Sequence, residues 1–217
     1  MGIGICDQLT SYAQEIVRKG LVVGPGGNIS ARDGDVMYIS PSGVDIGGIR
    51  PEEWVQVELP SGKVISYGAR PSSEILMHLE CYLANPNINA VIHTHPTFCI
   101  ALSCITNELP TLFPDQAALV GKVGFLPYML PTTQGLAQMV KDMIQSFNAI
   151  ILVNHGLVTV GRTLREAYYR TQIVEESSKI YLTASAITTP RILTEEQVKE
   201  IQLLEAETYR VQLLGDN

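Results

Sequence analysis

The chain has 217 residues and a formal net charge of −7; 46% of the residues are hydrophobic and 17% charged. That is enough for one domain with a full hydrophobic core and too apolar for a disordered chain. Lys and Arg are scattered without a basic stripe, which argues against nucleic acid as a partner, and no run approaches the ~18 apolar residues of a membrane-spanning helix.

The opening segment MGIGICDQLT has no basic residues before its apolar stretch and soon meets Asp7, unlike a secretory signal. Met1-Gly2 suggests N-myristoylation, but Cys6 stands where that motif requires Ser or Thr. A soluble cytoplasmic protein is expected, with residues 1–217 as a single domain. Ile5, Leu9, Tyr12, Ala13, Ile16 and Val17 recur at helical spacing, and Gly20 ends that helix. LVVGPGGNIS is a loop leading into short strands at 29–31, 36–39, 54–59 and 64–66. The turns RDGD, SPSG and PSGK between them favour antiparallel pairing.

RPSSEILMHLECYLANPN predicts a helix that starts near 71–73 and stops before Asn85-Pro86, with Ile75, Leu79 and Leu83 as its apolar stripe. NAVIHTHP predicts a strand ended by Pro96, followed by a short helix over 97–104. Residues 109–131 are punctuated by prolines, with a strand expected at 123–128 and a helix next over 132–146. AIILVNHGLVTVG predicts two buried strands broken at 154–156. Thr163 with Glu166, and Thr194 with Gln197, have capping-box spacing before a long helix to about residue 184 and a C-terminal helix. This order suits a three-layer α/β/α sandwich with a mixed, largely antiparallel central sheet. Cys6, Cys81, Cys99 and Cys104 have no metal-finger spacing and read as reduced core thiols, although Cys99 and Cys104 are close enough in sequence to pair.

His93 and His95 are two apart on one strand, so their side chains share a face roughly 6.7 Å apart. They suit either hydrogen-bonded strand histidines or two ligands of one ion. His155, between an apolar strand and Gly156, adds a third imidazole at a sheet edge. Three histidines plus a displaceable oxygen is a catalytic zinc pattern, since structural zinc usually uses cysteines. His78, mid-helix, reads as structural or solvated. Glu74 opens a helix, where an acid complements the helix dipole. The adjacent Ser72 and Ser73 add hydroxyls to that helix start, which makes an anion site without a fixed cation. Gly26, Gly27 and Asn28, and likewise Ser42 and Gly43, offer close backbone approach, an amide and a hydroxyl, although each alone is ordinary turn chemistry.

GGNIS, SPSG, RPSSE, HTHP and NHG, in this order, resemble the class II aldolase/adducin head-domain family, in particular its L-fuculose-1-phosphate and similar ketose-1-phosphate aldolases. The resemblance covers nearly the whole chain. It implies a homotetramer with active sites at subunit interfaces and one divalent metal per subunit on His93, His95 and His155. Zinc is the usual ion, with manganese or cobalt as alternatives. It implies that Glu74 is the catalytic carboxylate and a metal ligand when substrate is absent. Gly27, Asn28, Ser42, Gly43, Ser72 and Ser73 match positions that hold a phosphorylated sugar. The implied reaction is reversible cleavage of a ketose 1-phosphate (fuculose, 5-deoxyribulose or ribulose type) into dihydroxyacetone phosphate and a small aldehyde through an enediolate.

Two departures stand out. The family's interface tyrosine is replaced in LPTLFPDQ by Pro114, with Asp115 beside it. The general acid is therefore sought first at Tyr209, then Asp115, then Tyr128. PTTQGL departs from the more usual P-G-T-x-E-L. Alternatives within the family are a methylthioribulose-phosphate dehydratase, a pentulose-5-phosphate epimerase (usually with Asp where Glu74 stands), a sugar-acid phosphate decarboxylase, or a non-catalytic adducin-like assembly module.

Overall fold

The computed structural model describes residues 4–215; Met1 and Gly2, on which the acylation reading turns, lie outside them. The segments of the first half form β1 (Asn28–Asp33), β2 (Val36–Ile39), β3 (Val55–Glu58) and β4 (Lys63–Val64). The second half adds β5 (Ala90–Thr94), β6 (Gly124–Leu126), β7 (Ala149–Leu152) and β8 (Gly156–Gly161). Together they make an eight-stranded sheet in the order β4-β3-β2-β1-β5-β8-β7-β6. Among the described residues every ladder is antiparallel except β6 with β7.

Successive strand residues point to opposite faces, and both faces are apolar and covered. Val91, Ile150 and Val158 pack with Met77 and Leu79 of α2 (Ile75–Ala84) and with Leu136 and Val140 of α4 (Gln134–Ile144). On the other face, Ile29 and Ile92 pack with Leu9 and Ile16 of α1 (Ile5–Arg18) and with Ala167 of α5 (Leu164–Ser185). Ile151 and Leu157 pack there with Leu102 of α3 (Thr97–Ser103) and Val174 of α5. The result is the expected three-layer α/β/α arrangement. The C-terminal part, α6 (Glu195–Gln202) and α7 (Glu205–Gly215), is two helices rather than one. Thr194 and Gln197 close a reciprocal capping box. Thr163 caps α5 by accepting from the Glu166 N–H, but the Glu166 carboxylate instead takes the Arg162 N–H and the guanidinium of Arg170.

Three expectations are corrected. Helix α2 begins at Ile75 rather than at 71–73, because Pro71 bridges to Pro41 and Ser72 donates to the Ser40 carbonyl, which holds the preceding segment extended. Its buried face is Met77, His78, Leu79, Cys81 and Tyr82, whereas Leu83 is 49% exposed. The helix packs on the sheet and also against its layer neighbour α4, so two sides are covered and a single stripe does not describe it. Of the cysteines only Cys81 and Cys99 are buried; Cys104 is exposed, accepts from Asn154 Nδ2 and is not bonded to Cys99.

Candidate metal and active site

Strand pairing brings the site together at one end of the sheet. The first residue of β1, Asn28, is in register with His93 near the end of β5. Thr94, the last residue of β5, is in register with Leu157 of β8. The β7–β8 turn places His155 beside them, with Asn154 in the left-handed region (φ 57°) that Asn tolerates. His95 lies one residue past β5, its N–H held by the Leu21 carbonyl. Two glycines are required by this crowding. A Cβ on Gly156 would come within 2.8 Å of His95 Cδ2 and 3.1 Å of His93 Cε1. Gly27 takes φ 72°, and a Cβ there would lie 2.9 Å from the His93 carbonyl oxygen.

The three imidazoles converge. A ligand nitrogen from each of His93, His95 and His155 lies within 4.8 Å of the other two. His93 Nε2 and His95 Nε2 are 3.0 Å apart. His93 Nδ1 donates to the Leu157 carbonyl at 3.0 Å, so in the neutral ring Nε2 keeps a lone pair aimed at the cluster. Burial, with the neighbouring His93, pulls His95 and His155 down to about 4, so both rings are neutral donors at pH 7.

Glu74, expected inside the first helical turn, sits instead at the N-cap of α2 because the helix starts later, and it lies against the cluster. Its Oε2 is 3.2 Å from His93 Nε2, and its Oε1 is 3.6 Å from His155 Nε2. Burial raises its pKa, but the neighbouring His93, the Asn28 amide and the neighbouring His155 lower it by more, and the carboxyl lies well below the usual carboxylate range. Glu74 Oε1 and His155 Nδ1 are buried without a hydrogen-bond partner. Three imidazoles and a buried carboxylate that face one another are the donor set of a divalent cation of zinc type. The residues present therefore fit a metal held by His93, His95 and His155, with Glu74 within reach.

A cavity of about 230 Å³ adjoins this cluster. Glu74, His95 and His155 line it together with Gly27, Asn28, Ser42, Gly43, Ser72 and Ser73. The two serine segments are drawn together by the Ser42 N–H donating to the Arg70 carbonyl and by the Ser72 bond to Ser40. Among the described residues no Lys or Arg lines the cavity. Pro131 and Thr132 also line the cavity, and Thr132 takes φ 67°. That conformation is strained for a β-branched residue. A larger cleft of about 750 Å³, between 121–125, α4 and α6, holds no metal-ligating cluster among the described residues.

Asp115, Tyr209 and Tyr128 are not among the residues lining the 230 Å³ cavity in this protomer. Asp115 is ion-paired with Arg210 at 3.1 Å, and Tyr209 on α7 is 60% exposed. His78 was taken from the sequence as structural or solvated; it is fully buried and hydrogen-bonds Asn28 Oδ1 at 2.6 Å. The signal that marks it is the spacing of Glu74, His78 and Tyr82, which puts all three on one side of α2.

Comparison with known proteins is consistent with this site. Residues 7–182 match the family described as Class II Aldolase and Adducin N-terminal domain. The chain is 38% identical over 159 residues to an L-fuculose phosphate aldolase of Methanococcus maripaludis, spanning 73% of this chain and 86% of that protein. It is 30% identical over 200 residues to a 3-oxo-tetronate 4-phosphate decarboxylase of Haemophilus influenzae, spanning 89% of this chain and 94% of that protein. A solved structure of an L-fuculose 1-phosphate aldolase superposes with a TM-score of 0.87 at 30% identity, covering 97% of this chain and 98% of the other.

Proposed function

The chain belongs to the class II aldolase and adducin family, and from that premise we propose that it is a metal-dependent lyase that reversibly cleaves a ketose 1-phosphate into dihydroxyacetone phosphate and a small aldehyde. The observation that carries this reading is the meeting of His93, His95 and His155 with the buried Glu74 carboxylate beside a cavity whose lining includes hydroxyl and amide groups. An assembly module would have no need to keep that donor set. We assign one divalent ion per subunit to the three histidines, zinc first and manganese or cobalt as alternatives. When bound, the ion supplies Lewis-acid stabilisation of negative charge on adjacent substrate oxygens.

The remaining work falls to the chain's own groups. In the condensation direction Glu74 removes a proton from the hydroxymethyl carbon of dihydroxyacetone phosphate. That carbon then bonds to the aldehyde carbon, and an acid gives a proton to the aldehyde oxygen. Cleavage is the reverse: the C4 hydroxyl loses its proton, the C3–C4 bond breaks, and Glu74 returns a proton to C3. Oε1, the carboxylate oxygen without a hydrogen-bond partner, is the atom we assign to this transfer. Gly27, Asn28, Ser42, Gly43, Ser72 and Ser73 hold the phosphate by neutral hydrogen bonding, which fixes the substrate away from the reacting bond. The general acid is assigned to Tyr209 or Asp115 of a neighbouring subunit in a homotetramer, because neither lines the cavity of its own protomer.

A panel of aldehydes offered with dihydroxyacetone phosphate tests this reading. Condensation that disappears on complete metal removal and returns with zinc, manganese or cobalt is the expected result. Activity that survives removal of the metal sinks it. The second reading, decarboxylation of a phosphorylated 3-oxo sugar acid, is favoured by the 30% identity to the Haemophilus influenzae decarboxylase. Release of carbon dioxide from such an acid, without condensation of any aldehyde, would establish it instead.

A further inference from the structure

His78 is a titratable side chain, fully buried, that neither lines the cavity nor belongs to the metal cluster. Its two ring nitrogens are both engaged. Nδ1 is 2.7 Å from Ser30 Oγ, and Nε2 is 2.6 Å from Asn28 Oδ1. Ser30 Oγ is in turn 2.7 Å from the Tyr82 hydroxyl, and Asn28 Nδ2 donates to Glu74 Oε2 at 3.0 Å. Two periods build this line: Asn28 and Ser30 share a face of β1, and His78 and Tyr82 share a side of α2.

The direction of each bond follows from the first. Asn28 Oδ1 can only accept, so His78 must donate from Nε2. Burial pulls His78 down to about 3, so the ring is neutral at pH 7 and Nδ1 is then an acceptor. Ser30 must donate to Nδ1, and its oxygen accepts from Tyr82. With Asn28 turned over, its oxygen would face Glu74 Oε2, acceptor against acceptor, so the contact with Glu74 fixes the amide.

We infer that His78 is a positioning residue: through the line Tyr82–Ser30–His78–Asn28 it locks the Asn28 amide with Nδ2 toward Glu74 Oε2, which leaves Oε1 as the oxygen available for proton transfer. This inference rests on the aldolase reading for its consequence, but not for its geometry. His78→Gln keeps a terminal N–H donor at the place of Nε2. His78→Leu keeps bulk but leaves Asn28 Oδ1 without a donor.

Two measurements decide it. Imidazole 15N resonances of the whole protein at pH 7 are expected to give His78 as the Nε2–H tautomer; an Nδ1–H or doubly protonated ring overturns the inference. Proton exchange on dihydroxyacetone phosphate is then compared in zinc-loaded variants below their melting temperatures. His78→Leu is expected to slow exchange by about 10–100-fold, the usual effect of losing a supporting hydrogen bond, with His78→Gln recovering most of it. A folded, zinc-loaded His78→Leu at the wild-type rate, or a His78→Gln as slow as His78→Leu, overturns it. If His78→Leu does not fold, the tautomer decides alone. A wild-type protein that exchanges no proton removes the aldolase reading, and the tautomer still settles the geometry.

Discussion

Asn28 and Glu74, 46 residues apart in sequence, are joined by a 3.0 Å hydrogen bond from the Asn28 amide to one oxygen of the Glu74 carboxylate. The other oxygen has no hydrogen-bond partner. The two halves of one carboxylate thus have different work, one held and one available.

Glu74→Gln keeps an oxygen to accept from Asn28 and leaves the three histidines in place. Metal content is expected to stay near one ion per subunit, while proton exchange on dihydroxyacetone phosphate falls by about 10²–10⁴-fold, the usual worth of a positioned acid–base group. Exchange at a near-normal rate would remove Glu74 as the base.

Gly156→Ala puts a methyl group against the Thr94 carbonyl oxygen, 2.8 Å from His95 Cδ2 and 3.1 Å from His93 Cε1, so the strand end that carries both histidines must shift and the rings with it. Zinc affinity is expected to drop by about 10–100-fold, the scale seen when ligand support is disturbed. Gly48→Ala, whose added Cβ meets nothing within 4 Å, is the control and should bind zinc normally. Equal affinities for the two variants would contradict the crowding argument.

The metal-free protein is expected to weaken in mild acid. His78 has a folded pKa of about 3 against about 6.5 in an unfolded chain. Below pH 6.5 the unfolded state takes up a proton that the folded state refuses, so stability falls as pH falls and levels off near pH 3. The slope for this one group is about 1.4 kcal/mol per pH unit. His95 and His155 act in the same direction. Glu74, held low in the folded state, adds its loss only below the ordinary carboxylate range. Urea midpoints at pH 7.5, 6.5 and 5.5 check this, and His78→Gln should flatten the limb between about pH 6.5 and 4.5. A midpoint that does not change over that range would contradict a neutral buried His78.

Thr132, which lines the cavity, holds φ 67°. Relief of that strain is worth about 1–3 kcal/mol, and glycine gives back about 0.5–1 kcal/mol in chain entropy. Thr132→Gly is therefore expected to raise Tm by about 2–4 °C for a chain of this size. Its place in the cavity lining makes a changed aldehyde preference the accompanying outcome. A lowered Tm would mean that the hydroxyl or methyl group stabilises the loop by more than the backbone strain costs.

The sequence alone determined most of the architecture, because strand and helix periods and turn residues act over a few neighbours. It located β1, β2 and β5, the long helix after Thr163 and the capping box at Thr194 within a few residues. It also brought out His93, His95, His155 and Glu74, since HTHP, NHG and RPSSE are short ordered motifs. It did not determine which side of α2 is buried: apolar spacing marks Leu83, yet the sheet and α4 cover the helix elsewhere and the polar His78 is buried. Nor did it pair His78 with Asn28, or leave Asp115 and Tyr209 outside the cavity of their own protomer. Those relations join residues about 50 to 90 apart. They are set by strand register and by the seating of α2 and α7, and a buried polar group can be understood only when its hydrogen-bond partners across the fold are known.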